Sequence, residues 1–183
     1  MKKFILNLTT LIMIFTYILV IPVAQVKAYS TYDDFRVLKS ADNKLTIVGY
    51  NTATAGKVTD IVIPETLSGA EVVAIDYEDG NDEVAGFSKC TKLQTISIPK
   101  TIESIAPGSF TNTALTYITV DEDNPKYASH EGALYDKSKT TLIQYPTGSP
   151  NVKYEVPNSV VYIGPYAFSG AKNLEEIILS PNL

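Results

Sequence analysis

The sequence predicts a solenoid of stacked coils, because one pattern of apolar residues recurs with a period of about two dozen residues. Counted from Ile98, apolar residues fall at positions +4, +7, +12, +17, +20 and +22. Counted from Val156, they fall at +4, +7, +12, +18, +21 and +23. A proline follows each of these two origins, at Pro99 and at Pro157. Agreement at six apolar positions and a proline, with one single-residue offset, identifies a repeat.

Each unit contains a short segment with the pattern Leu-x-x-Ile-x-Leu or a near match. The segments are LQTISI at 93–98, LTYITV at 115–120 and LEEIIL at 174–179. Their last three residues alternate between inward and outward directions, as in a β-strand. A strand this short cannot bury a core alone, so the units must stack and form a parallel sheet with one strand per coil. The prolines follow the strands directly, where the ladder needs no N–H donor.

One phenylalanine occupies the equivalent position in three units, at Phe87, Phe110 and Phe168. We expect these three rings to stack in a column between the sheet and the outer wall of the solenoid.

The first full unit is longer than the last one. The segment Ile63–Ile98 advances 35 positions, whereas Val156–Leu179 advances 23, so 12 residues are extra. They fall around 68–70 and 77–83, which are polar stretches typical of surface loops.

A second insertion separates Val120 from Val156, which lie 36 positions apart, an excess of 13. Two short apolar runs, Ala133–Tyr135 and Leu142–Tyr145, flank a polar turn within it. This arrangement predicts a β-hairpin inserted at about 121–150.

Residues 1–28 have the features of a secretory signal peptide. Lys2 and Lys3 precede the apolar stretch Phe4–Ile21, and Val26 and Ala28 are suitable residues for a cleavage site. We expect cleavage near Ala28 and a secreted or cell-surface location. The alternative is an uncleaved membrane anchor, since the apolar stretch nearly reaches spanning length.

Cleavage would leave an acidic chain of 155 residues. It removes three of the 15 basic side chains and none of the 20 acidic ones, which leaves a formal charge of −8. An acidic surface argues against nucleic acid as a partner, and against contact with a membrane after cleavage. With one cysteine in an exported chain, no internal disulfide can form.

Residues 29–57 are predicted to form an N-terminal cap hairpin, with strands at Phe35–Leu38 and Leu45–Tyr50. Residues 58–183 then hold about four repeat units. The chain stops four residues after Leu179 without a C-terminal cap, and an open coil exposes apolar residues and a strand edge. This pattern favours a truncated product or an N-terminal fragment of a longer surface protein. The second interpretation is self-association through the uncapped C-terminal coil.

The pattern IPxTIxxIxxGSF…L, with VPNSVVYIGPYAFSGAKNLEEI as its fullest copy, resembles the BspA-like leucine-rich repeat family. The resemblance covers roughly residues 42–183. It implies a right-handed leucine-rich-repeat solenoid with short parallel strands on one face and irregular or 3₁₀ segments on the other. Members of that family are largely exported surface proteins, and several act as adhesins for host or matrix proteins.

The sequence predicts no enzyme, no cofactor and no metal site. Cys90 aligns with Ala171, a small inward position, so we expect a buried structural thiol. His130 is the only histidine and no cysteine lies near it in coil order. The acidic groups at 76–83 and 121–125 lack the ligand spacing of an EF-hand and are interpreted as solvated loop charge.

The outward positions of the strands form the candidate ligand face. The first row consists of Val62, Ser97, Thr119, Glu155 and Ile178. The second row consists of Asp60, Thr95, Tyr117, Lys153 and Glu176. We expect this face to bind a host, matrix or neighbouring cell-surface protein, as an adhesin-like module. The alternative hypothesis is a structural spacer within a longer surface protein.

Overall fold

The computed structural model describes residues 30–32, 34–76 and 86–183. The predicted signal peptide at 1–28 and the loop at 77–83 therefore lie outside the described residues.

The described residues form fifteen β-strands and no helix. The strands are β1 (Ser30–Tyr32), β2 (Phe35–Lys39), β3 (Lys44–Tyr50), β4 (Asp60–Val62), β5 (Thr66–Leu67), β6 (Ala70–Ile75), β7 (Thr95–Ile98), β8 (Ser104–Ile105), β9 (Tyr117–Val120), β10 (Tyr127–His130), β11 (Ala133–Asp136), β12 (Thr141–Gln144), β13 (Lys153–Glu155), β14 (Tyr162–Ile163) and β15 (Glu176–Ile178). It follows that this part of the chain holds no helix of the length and apolarity that a membrane span requires.

The prediction of a solenoid with one parallel strand per coil is confirmed. Strands β4, β7 and β9 pair in parallel, with Ile61, Ile96 and Ile118 in register. These three isoleucines are buried, because alternate residues of a strand point to opposite faces. Strands β13 and β15 form a second parallel ladder further along the chain.

The opposite side of the coils is more regular than the resemblance implied. Strand β6 pairs in parallel with both β3 and β8, and β12 pairs in parallel with β14. Since the coils repeat at one spacing, extended segments on this side also come into register, as Ala74 does with Ser104. Turns connect these short strands to the next coil.

The N-terminal strands lie over the first coil. Strands β2 and β3 pair antiparallel, and β3 continues in parallel with β6. Val37, Leu45 and Ile47 are buried, so this hairpin contributes directly to the core of the first coils.

The inserted segment supplies both a hairpin and part of a coil. Strands β10, β11 and β12 pair antiparallel in chain order, and β12 then joins the solenoid through β14. Asn124 anchors its beginning: the buried side-chain amide donates hydrogen bonds to the carbonyls of Pro99 and Ile102, at 2.8 and 3.1 Å. Its carbonyl oxygen accepts from the backbone N–H groups of residues 126 and 127.

Strand β11 separates two hydrophobic cores. Leu134 packs in the core of the first coils, with residues such as Phe110 and Ile118. Its neighbours Ala133 and Tyr135 pack in a second core. Because side chains alternate along a strand, one strand contributes to both cores.

The predicted column of three phenylalanines is incomplete. Phe87 and Phe110 stack with ring centroids 6.0 Å apart and nearly parallel planes. Phe168 instead contacts Tyr145, with centroids 5.6 Å apart. Equivalent backbone hydrogen bonds between neighbouring coils explain this contact. The Phe87 N–H donates to the Ser109 carbonyl, and the Tyr145 N–H donates to the Ala167 carbonyl in the same way. Tyr145 is therefore the ring of the unit that carries the hairpin.

Substitution of Phe110 by alanine should lower the free energy of unfolding by about 3–5 kcal/mol, since it empties a buried ring position between stacked coils. Urea denaturation measures this loss. Tyr162→Ala is the matched control, because the Tyr162 side chain is exposed and its removal should change stability by no more than about 0.5 kcal/mol. Equal effects of the two substitutions would contradict the stacked arrangement.

Candidate ligand face and adjoining groove

The first three members of each predicted row lie side by side. Asp60, Thr95 and Tyr117 are in register across β4, β7 and β9. The same pairing aligns Val62, Ser97 and Thr119. We call these six outward residues the strand face.

The last four candidate residues form a separate patch, so the two five-membered rows are wrong as continuous surfaces. Lys153 pairs with Glu176, and Glu155 with Ile178, but no strand pairing joins them to β9. The insertion is the reason, because its turn occupies the free edge of β9.

Two hydrogen bonds show how the turn occupies that edge. The Ile118 N–H donates to the Gly132 carbonyl at 2.9 Å. The Val120 N–H donates to the Ser129 hydroxyl at 3.2 Å. Backbone donors that would continue the ladder are thus already bound.

Most polar groups of the strand face are bound to one another. The hydroxyls of Thr95 and Thr59 donate to the two carboxylate oxygens of Asp60, and these bonds hold the pKa of that carboxyl below its usual value. The hydroxyls of Ser97 and Thr119 are 2.8 Å apart and share a hydrogen bond. This network orders the side chains around the two apolar ones.

Val62 and Tyr117 are the exposed apolar side chains of the strand face. Val62 is 73% exposed and Tyr117 is 49% exposed. Gly132 lies directly against the tyrosine ring, and a Cβ atom there would be 2.8 Å from Tyr117 Cδ2. Gly132 also has φ of +79°, which favours glycine. The inserted turn therefore supports one side of the ring.

A groove of about 480 Å³ adjoins the strand face at the carboxyl ends of β4, β7 and β9. Val62 and Thr119 line it together with Pro64 and Pro99. Two acidic residues, Glu65 and Asp121, also line it, and Glu65 forms an exposed ion pair with Lys100 at 3.4 Å. We call it the proline groove.

Sequence reasoning missed the proline groove, although a signal was present. Pro99 directly follows β7 and Pro64 follows β4 after one residue, and both prolines line the groove with the last outward residues of these strands, Ser97 and Val62. Glu65 and Asp121 are the first acidic residues after β4 and β9. A groove lined by proline rings and carboxylates suits a partner that presents an apolar side chain next to a lysine or arginine.

Cys90, His130 and Asp121 lie in three different environments. Cys90 is fully buried, as predicted, and burial raises the pKa of its thiol to about 12. His130 is exposed on β10. Asp121 accepts a hydrogen bond from the backbone N–H of Asp123 at 2.9 Å. The part of the chain that the structure describes contains no group of three or more residues able to hold a metal ion.

Comparison with known proteins identifies the family. The family model described as BspA type Leucine rich repeat region matches residues 83–156 and 148–183, in six copies. The chain belongs to the BspA-type leucine-rich repeat family. The match covers more than half of the chain, including β7, β9 and the whole inserted hairpin.

Solved structures of bacterial leucine-rich repeat proteins resemble this repeat protein. One from Eubacterium ventriosum is 20% identical, with a TM-score of 0.49 over 85% of this chain and 61% of that chain. The leucine-rich repeat protein of T. pallidum is 19% identical, with a TM-score of 0.49 over 85% and 83% of the two chains. The pneumococcal vaccine antigen PcpA is 16% identical, with a TM-score of 0.47 over 86% and 66%.

The chain thus spans about three-fifths of the length of the E. ventriosum protein. No curated protein matches the sequence.

The Cys90 thiol should react very slowly with a thiol reagent in the folded protein. A rise in pKa from 9.0 to about 12 lowers the thiolate fraction at pH 8 about 1,000-fold, and the thiolate is the reactive species. The rate at which Cys90 reacts with a chromogenic disulfide reagent, followed by the absorbance of the released thiol, measures this reactivity. The matched control is the same protein in concentrated denaturant, where reaction should be fast. Similar rates with and without denaturant would contradict a buried thiol.

Proposed function

We propose that this leucine-rich repeat protein is exported and binds another protein through the strand face and the proline groove, without catalysing a reaction. The observation that carries the proposal is the exposure of two apolar side chains of the strand face: Val62, which lines the groove, and Tyr117, at the start of β9. An aromatic ring on a rigid ladder is typical of residues that dominate binding energy, because little conformational freedom is lost when it is covered.

The chemistry of the face suggests what the partner presents. Tyr117 and Val62 suit apolar side chains, and the carboxylates of Glu65 and Asp121 suit a lysine or arginine beside them. The cleaved chain would carry a formal charge of −8, which favours approach of a basic surface. An adhesin-like role with host, matrix or cell-surface proteins is consistent with these features.

Export rests on the N-terminal sequence. Lys2 and Lys3, the apolar stretch Phe4–Ile21 and the Val26–Ala28 site favour secretion or display at the cell surface. The mass of the extracellular form distinguishes cleavage near Ala28 from an uncleaved anchor.

Tyr117→Ala should weaken binding to a retained partner about tenfold or more, because a covered aromatic side chain commonly contributes over 1.4 kcal/mol. Purified extracellular-matrix proteins, immobilised for surface plasmon resonance, supply the measurement. Tyr162→Ala is the matched control, since Tyr162 is similarly exposed but lies on β14, on the other side of the coils. Two results would contradict binding by the strand face. One is unchanged binding to the matrix protein in both Tyr117→Ala and Val62→Ala, and the other is an equal loss of binding in Tyr162→Ala.

A second candidate role, as a spacer or self-associating unit, is favoured by the outer edge of β15. Ile177 is 40% exposed, whereas Ile61, Ile96 and Ile118 at the equivalent position are buried. Leu179 beside it is also exposed. An apolar strand edge of this kind pairs readily with another copy of the chain.

Self-association through β15 predicts a concentration-dependent mass in sedimentation experiments. Ile177→Lys should keep the protein monomeric, because it places a charge at the centre of the contact. Val161→Lys is the control, since Val161 is exposed away from β15. A wild-type protein that stays monomeric at all concentrations would remove self-association and leave the spacer role.

A further inference from the structure

A second concave surface lies at the turns that follow the ring positions and precede the strands, and it shares no residue with the strand face. It is a cavity of about 570 Å³ that runs across successive coils. Its lining includes Ser88, Asn112, Thr113, Thr147, Lys172 and Asn173. We call this surface the polar trough.

The lining of the polar trough differs in charge from the proline groove. Among the described residues that line the trough, Lys172 is the only charged side chain, and the others are hydroxyl, amide or small residues. The proline groove contains Glu65 and Asp121. Because the trough lacks carboxylates, it does not repel a negatively charged ligand as other parts of this acidic chain do. Its hydroxyl and amide side chains suit a ligand that is rich in hydroxyl groups.

The floor of the trough is held rigidly by contacts between coils. Gly148 N–H donates to the Leu115 carbonyl at 2.7 Å. A Cβ atom at Gly148 would lie 2.3 Å from the Ala114 carbonyl oxygen, so only glycine permits this approach. The trough is therefore formed before any ligand arrives.

Two threonines on the floor present hydrogen-bond acceptors. Thr147 Oγ1 donates to the Thr113 carbonyl at 2.9 Å, and Thr113 Oγ1 donates to the Phe110 carbonyl at 2.7 Å. The two hydroxyl oxygens are 3.1 Å apart. Since their protons are directed at backbone carbonyls, lone pairs remain for hydroxyl groups of a ligand.

Ser88 provides an independent sign of a ligand. Its side chain is only 8% exposed, yet its hydroxyl has no hydrogen-bond partner among the described residues. Buried polar groups are normally satisfied, so this one calls for an explanation. A ligand hydroxyl or carboxylate in the trough, after a small rotation of the serine side chain, would satisfy it.

The spacing of the coils indicates the repeat of the ligand. Hydrogen-bonded coils lie about 4.8 Å apart. This distance is close to the length of one sugar residue in an extended chain, whereas amino-acid residues in an extended peptide advance about 3.3 Å. Equivalent polar positions on successive coils can thus meet successive sugar residues.

We propose that the polar trough binds an acidic oligosaccharide lying along the solenoid axis. Ser88, Thr113 and Thr147 bind its hydroxyl groups, as does the side-chain amide of Asn112. Lys172 binds a carboxylate of a uronic acid residue. This site is separate from the strand face, so its test does not depend on a protein partner.

Calorimetric titration of the purified protein with two hexasaccharides tests the proposal. One alternates glucuronate with N-acetylglucosamine, and the other contains N-acetylglucosamine alone. We expect saturable binding of the acidic chain with a Kd below about 1 mM and binding of the neutral chain at least about tenfold weaker.

Three substitutions assign the site. Ser88→Ala and Asn112→Gly should each weaken binding of the acidic chain about fivefold or more, and glycine suits the positive φ of residue 112. Lys172→Gln should remove most of the preference for the acidic chain. Tyr162→Ala, on the other side of the coils, is the control and should leave binding unchanged. Unfolding midpoints verify that each variant is folded.

Three outcomes would overturn the proposal. They are no saturable binding of the acidic chain, a preference that survives Lys172→Gln, and binding lost with Tyr117→Ala but kept with Ser88→Ala and Asn112→Gly. Loss of matrix-protein binding in Tyr117→Ala concerns the strand face alone, so the two proposals fail separately.

Discussion

The structure depends on the constraint that each coil must lie over the previous one at the spacing of a hydrogen-bonded ladder. That constraint places Ile61, Ile96 and Ile118 in one buried row, and brings the rings of Phe87 and Phe110 into a parallel stack. It also explains Gly148, where the backbones of two coils come too close for any side chain. Where the insertion departs from the regular coil, its turn binds the edge of β9 in place of another strand.

The repeat period in the sequence was sufficient to predict the strands of the solenoid and their register. The strands and their register follow from apolar spacing, so Val62, Ser97 and Thr119 align as expected. The ring position of the hairpin-bearing unit is less evident, because a tyrosine replaces phenylalanine there. Its spacing is nevertheless the same, since Tyr145 precedes Tyr154 by nine residues, as Phe168 precedes Ile177. The break beyond Thr119 was missed because the length of an insertion does not show which strand edge it occupies. The polar trough has no periodic signal, since its residues come from separate turns.

The two concave surfaces have opposite chemistry although the same coils form both. At the strand ends, prolines and carboxylates produce an acidic groove beside exposed apolar groups. At the turns after the rings, hydroxyl and amide side chains produce a trough in which Lys172 is the one charged residue among the described lining. Strands β7 and β9 run between the two regions, since the trough is lined by residues that precede these strands and the groove by residues at their carboxyl ends. The same coils therefore present two separate concave surfaces.

Strand β11 couples the two hydrophobic cores. Its consecutive side chains belong to different cores, with Leu134 on one side and Ala133 and Tyr135 on the other. A disturbance of the packing in one core therefore shifts side chains of the other, and the two cores should lose their order together rather than one at a time.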